Sequence, residues 1–183
     1  PPYVHERAYP QLKIDYPIFA AVEPGSSRIV FIDQDRPYAK ARICRTKDDP
    51  ASGELDVLLE LPGTAYSIAF HPRFDVNGHL FVGWNHGEQG IKKTTRITRY
   101  TIERKAPFRL LADSAKTFIQ WPSDGHNGGA VTFGKEGLLY ITSGDGTSDS
   151  DTNLMGQGLD HLLAKVLRID VDHPSGEMPY TVP

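Results

Sequence analysis

Residues 121–145 read WPSDGHNGGAVTFGKEGLLYITSGD, and how this stretch divides decides the fold. A polar loop at 123–127 runs into Gly128-Gly129. A short apolar run follows at 130–133, then a turn carrying Gly134 and Gly137, then a second run of β-favouring residues at 138–142. Runs this short, rich in β-branched and aromatic residues and punctuated by glycine, signal strands joined by a tight turn. The stretch predicts a hairpin with His126 at its mouth.

The same plan recurs upstream. Residues 18–22 and 28–33 flank the turn cluster Glu23-Pro24-Gly25-Ser26-Ser27, and 66–70 and 79–82 flank a connection ending in Asn77-Gly78, two residues that tolerate positive φ. LDVLLEL at 55–61, bounded by Gly53 and Pro62-Gly63, is short enough to favour a strand over a helix, and 95–102, 117–120 and 166–171 also read as strands. Residues 34–53 are charged and contain prolines, which predicts an exposed strand or loop whose most ordered part is Arg42-Ile43-Cys44. Residues 1–15 read as an extended lead-in, 103–116 as irregular, and only 157–165 has the spacing for a short helical turn.

Aligning the hairpins exposes a repeat. Ala21-Val22-Glu23-Pro24 precedes RIVFI, Ala69-Phe70-His71-Pro72 precedes HLFVG, and Thr132-Phe133-Gly134-Lys135 precedes LLYIT, with offsets of 48 residues (22 to 70) and 63 residues (70 to 133). Four-stranded propeller blades repeat every 40 to 50 residues or so, before insertions. The expected fold is therefore all-β, a β-propeller of which about three blades are visible. A closed propeller needs about four to eight blades. Residues 1–183 are accordingly expected to be the N-terminal part of a single larger propeller domain, in preference to an unusual small β domain.

Composition narrows the function classes. A formal net charge of -3, with 23% charged residues, lacks the basic excess of a nucleic-acid binder. No apolar run of about 18 residues suits a membrane span, and no charged segment followed by an apolar one opens the chain as a leader would. The single cysteine, Cys44, has no partner for a disulfide or a CxxC motif and reads as a small buried apolar side chain.

Chemistry concentrates near the opening stretch. A neutral imidazole at His126 can take a proton from a hydroxyl, with Asp124 as the nearby carboxylate that strengthens it, and glycines 125, 128 and 129 leave room for a flat ligand. The bland alternative is a loop histidine. In the acidic loop that follows, Asp149, Asp151 and Asn153 alternate as calcium ligands do, with Asp160 at the twelfth position but Leu154 where a glycine is required; a capped, solvated turn is the competing reading. Asp145 reads as a cap of that loop. His71 and His79 read as packing residues, and His161 and His173 lack companions at zinc spacing. Tyr66 or Trp84, with Asn85 and His86, end or follow strands on the same side as His126 and are candidates to line a pocket.

Three of these motifs, taken in order, carry a resemblance. H-N-G-G-x-x-x-F-G-x-x-G-x-L-Y-I-T-x-G-D from His126 to Asp145, LAKVLRID at 163–170, and IAFHPRF at 68–74 with the following glycine turn and Leu80-Phe81-Val82 resemble the soluble quinoprotein glucose/sorbosone dehydrogenases. The resemblance implies a six-bladed propeller that oxidises a sugar or other polyol hydroxyl outside the cytoplasm, in the periplasm or extracellularly. It implies pyrroloquinoline quinone (PQQ) held by calcium as cofactor and an external electron acceptor such as a cytochrome c. His126 matches the family's catalytic base, beside the cofactor. Two departures stand out: Gly125, not an aspartate, immediately precedes His126, and the glutamine expected before the Phe-His-Pro strand is replaced within Leu61-Pro62-Gly63-Thr64. The residues that clamp the quinone and the main calcium ligands are expected after residue 183. These departures favour an alternative function, a non-catalytic propeller that binds a carbohydrate or protein partner.

Overall fold

Apolar side chains at alternate positions on either side of the 23–27 turn pair as the first hairpin of a computed structural model that describes residues 2–36, 39–87 and 93–183. β1 (Pro17–Val22), β2 (Ile29–Gln34), β3 (Ala41–Thr46) and β4 (Leu55–Leu61) form one antiparallel sheet in chain order. β5 (Thr64–Phe70), β6 (His79–His86), β7 (Thr94–Ile102) and β8 (Leu110–Pro122) form a second, and β9 (Gly128–Phe133), β10 (Leu139–Ser143) and β11 (Val166–Ile169) a third. Each sheet is a meander whose first strand, β1, β5 or β9, lies beside the first strand of the next sheet. That is the arrangement of consecutive propeller blades around an axis, so the fold is an all-β propeller with three blades present.

The middle blade shows why the sheets stack. Along β6, Leu80, Val82 and Trp84 point to one side and join Val30, Ile32 and Ile43 of the first blade, while Phe81 points to the other and joins Val131, Leu139 and Ile141 of the third. A period of two with both faces covered buries nearly the whole strand. Gly83, also on β6, lies so close to the Gly129 backbone that a Cβ there would overlap the Gly129 carbonyl. Buried Ser67 of β5 ties the same interface: its Oγ accepts from the Val131 N–H at 3.2 Å.

Four expectations need correction. Residues 41–46 are a buried inner strand, not an exposed one, because β2 and β4 flank β3 and the lead-in segment covers the blade's outer face, where Leu12 packs on Phe31 and Cys44. The Cys44 thiol is fully buried, and burial pushes its pKa up to about 11, so it stays a neutral, apolar side chain. β8 begins at Leu110, well inside the segment read as irregular, because β7 supplies a partner for its polar first half. Residues 157–165 form turns and no helix; the neighbouring strand captures their backbone, with Ala164 N–H donating to the Gly144 carbonyl at 2.8 Å. Of the Asn77-Gly78 pair only Gly78 takes positive φ, closing the one-turn helix α1 (Phe74–Asn77).

Candidate functional site

His126 sits in the connection from β8 to β9, where the second blade hands over to the third. The loop is shaped by glycines. A Cβ at Gly125 would overlap the Thr147 carbonyl, one at Gly128 would crowd Ser143, and one at Gly144 would strike the carbonyl of His126. These glycines therefore serve backbone-to-backbone packing of two loops, and Gly125 also lines the open cleft beside them. His126 itself holds φ at 39°, a left-handed conformation uncommon outside glycine.

The carboxylate beside His126 is Asp145, not Asp124. Asp145 Oδ1 lies 3.1 Å from His126 Nδ1, while Asp124 reaches into solvent and pairs with Lys93 at 3.5 Å. Positions two apart in a tight loop diverge, whereas the chain just after β10 returns to face the loop. Asp145 also caps its own turn, as read from the sequence, accepting from the N–H and hydroxyl of Thr147, both at 2.9 Å, and from the Asp151 N–H at 3.1 Å. Donation from the Thr147 backbone, then from its hydroxyl and from His126, holds the Asp145 pKa down at about 2. Asp145 is thus ionised at every ordinary pH. With Nδ1 held by that carboxylate, Nε2 is left to face outward on a side chain that is 52% exposed.

The acidic loop does not gather into a cation site. Asp151 accepts from the backbone N–H groups of Met155 and Gly156 at 2.6 and 2.9 Å, and Asp149 from that of Ser150 at 2.7 Å. Asn153 is exposed. Among the described residues no three histidine, cysteine or acidic side chains converge to hold a metal. The carboxylates are spent on backbone donors, as the capped-turn alternative requires.

Flanking the His126 loop is an open cleft of about 700 Å³ lined by Tyr66, Asn85, His86, Lys93, Asp124 and Asn127 together with the backbone of 62–64. Tyr66, Asn85 and His86 are therefore placed as expected. Trp84 is not: it is buried in the core between the first two blades, its indole N–H donating to Thr98 at 3.0 Å. One hydrogen-bond chain joins the cleft wall to the loop. Asn127 Nδ2 donates to the Tyr66 hydroxyl at 2.6 Å, Ser123 Oγ reaches Asn127 Oδ1 at 2.5 Å, and Asn85 Nδ2 donates to the Ser123 carbonyl at 3.2 Å. Ser123 and Asn127 escaped the sequence reading because their role lies in a contact across 61 residues of chain, between 66 and 127. The described lining offers one cation, Lys93, which faces Asp124, so these residues alone do not match a multiply charged anion.

Comparison with known proteins agrees with this fold. The sequence model of the family described as glucose/sorbosone dehydrogenase matches residues 37–183. Hedgehog-interacting protein of Mus musculus is 33% identical over 124 residues, covering 64% of this chain and 18% of that protein. HIPL1 protein of Arabidopsis thaliana is 27% identical over 165 residues, 68% of this chain and 24% of that protein. Among solved structures, the PQQ-bound aldose sugar dehydrogenase of Streptomyces coelicolor superposes with a TM-score of 0.67 at 24% identity, over 93% of this chain and 50% of that one. The soluble aldose sugar dehydrogenase of Escherichia coli superposes at 0.62 with 17% identity, over 85% and 44%. The chain thus spans about half of these solved structures and a quarter or less of these curated relatives. By sequence pattern, blade architecture and family match together, the chain belongs to the glucose/sorbosone dehydrogenase family.

Proposed function

We propose that residues 1–183 are the histidine-bearing N-terminal part of one propeller domain whose full-length form oxidises a hydroxyl of a sugar or polyol, outside the cytoplasm. The observation that carries this reading is the His126–Asp145 pair beside an open polar cleft. Asp145 accepts the Nδ1 proton and so fixes the tautomer in which Nε2 has a free lone pair. Nε2 takes the hydroxyl proton, and the imidazolium that forms is stabilised by the carboxylate. PQQ, held by calcium, is the group that would accept the hydride. The described blades offer the base but not the cations that such an anion needs. Reoxidation would fall to an external acceptor, a cytochrome c being one such partner.

His126→Ala should lower turnover by about 10²- to 10⁴-fold, and Asp145→Asn should do likewise, because the amide can present its NH₂ to Nδ1 and leave the proton on Nε2. The assay is PQQ titration of the full-length protein with and without calcium, followed by an aldose and polyol panel with an artificial electron acceptor. Full turnover in His126→Ala would remove the base assignment. A second reading, a non-catalytic propeller that binds a carbohydrate or protein partner, is favoured by the 33% identity to a relative named for an interaction and by the cleft's single paired cation. Failure of the folded full-length protein to bind PQQ would select it.

A further inference from the structure

Tyr66 stands out within the cleft because the sheet bends to put it there. In the pairing of β5 with β6, Ala65 faces Trp84 and Ser67 faces Gly83, so Tyr66 is an extra residue opposite no partner. A bulge of this kind re-aims one side chain out of the strand's alternation. The ring passes close over Gly129, whose added Cβ would meet Tyr66 Cδ2 at 3.4 Å and Thr95 Cγ2 at 3.3 Å. It ends at Asn127, the residue after His126.

The hydrogen-bond directions then determine what the phenol can do. Asn127 Oδ1 faces the Ser123 hydroxyl, which turns Nδ2 toward Tyr66. The Tyr66 oxygen accepts that bond and keeps its own proton to give. No side-chain acceptor among the described residues receives that proton in return, and Tyr66 lines the cleft. We infer that Tyr66 is a specificity-determining residue that donates a hydrogen bond to one hydroxyl oxygen of a polyhydroxylated ligand, and that Asn127 orients it. The inference rests on reading the cleft as a carbohydrate site. It assigns the selection of ligand to a residue of the second blade and the proton transfer to one in the loop between the second and third. A site that reads a hydroxyl by a positioned donor discriminates against the analogue lacking it far more sharply than an apolar pocket does.

Binding and turnover separate this inference from the enzymatic one. Calorimetric titration of the full-length protein uses glucose, galactose, xylose and sorbitol as probes, with the mono-deoxyglucoses as controls. Tyr66→Phe, which keeps the ring over Gly129, should weaken the best-bound probe about tenfold, the worth of one net hydrogen bond to an uncharged partner. Wild type and Tyr66→Phe should bind one particular deoxy sugar equally, which identifies the hydroxyl being read. Asn127→Ala should show a smaller loss. Equal affinity of wild type and Tyr66→Phe for every probe, or no binding of any probe to wild type, would overturn the inference. Sugar binding sensitive to Tyr66 with no PQQ-dependent turnover would uphold it and overturn the dehydrogenase. Turnover indifferent to Tyr66 would do the reverse.

Discussion

His71 shows how the fold treats a histidine it uses for packing. Its Nδ1 faces two donors, the Arg73 N–H at 3.1 Å and the Asn77 amide at 2.8 Å, so the ring proton sits on Nε2, 3.3 Å from Asp172 Oδ1. His126 has the opposite arrangement, an acceptor at Nδ1 and an outward-facing Nε2. Burial pulls the His71 pKa down against the pull of Asp172, and His79 beside it is lowered to about 4, chiefly by burial and then by Arg99 and His71. The native state therefore binds these protons less readily than the unfolded chain, whose histidines titrate at 6.5. Between pH 6.5 and 4 the unfolded state takes up more protons, so stability falls on acidification through that window and this contribution is whole above it. The melting temperature should decline from pH 6.5 toward 4, and His79→Gln should make the decline shallower. An identical decline in that variant would assign the acid sensitivity elsewhere. The sequence identified His71 and His79 as packing residues, but the carboxylate facing His71 Nε2 comes from a loop a hundred residues away, which no local pattern encodes.

Between elements, a charged cluster joins the first two blades. Glu23, fully buried in the β1–β2 turn, lies 2.7 Å from Arg28 Nε, 3.6 Å from Arg45 and 3.9 Å from Arg104, the last from the second blade's β7–β8 connection. Arg45 also donates to the Phe108 carbonyl at 3.0 Å, and Arg28 stacks on the Phe108 ring at 4.9 Å. Removing a carboxylate that serves three guanidiniums leaves Arg104 with no other carboxylate among the described residues, and leaves Arg28 and Arg45 only their outer partners, Asp48 at 4.0 Å and Asp56 at 3.2 Å. Glu23→Ala should cost about 3 to 5 kcal/mol of stability, read as a shifted denaturant midpoint in the full-length protein, whereas Asp48→Ala, at the solvent edge of the same cluster, should cost under about 1 kcal/mol. Equal costs would show that the buried carboxylate has no special weight. Turn residues Glu23-Pro24-Gly25 were legible as a turn; the second blade's arginine was not, because charge partners across a blade interface share no spacing in the chain.

For the whole molecule, the inner strands β1, β5 and β9 present an open, largely apolar concavity of about 800 Å³ lined by Phe19, Ile68, Phe70, Val131 and Phe133, and Val166 on the edge strand β11 is 71% exposed. The three blades bury one another and leave this axial face uncovered. Expressed alone, residues 1–183 should self-associate or melt over a broad range, while the full-length protein should unfold sharply at higher temperature. Scanning calorimetry with light scattering distinguishes them. A sharp, reversible melt from a monomeric 183-residue chain would mean that three blades suffice.

By itself the sequence determined what local physical chemistry determines: ten of the eleven strands from short β-rich runs, the glycine turns between them, the blade repeat, and His126 at a hairpin mouth. Even the family was legible, because its motifs are contiguous. Only the tertiary structure decided which carboxylate serves that histidine, what the glycines pack against, and which of Tyr66 and Trp84 reaches the cleft. Those depend on where chain segments far apart in sequence meet: Asp145 returns to His126 through a whole hairpin, and Tyr66 meets Asn127 across the seam between two blades. Hydrogen bonds of that kind are set by how sheets stack, and a stacking contact leaves no period in the chain that makes it.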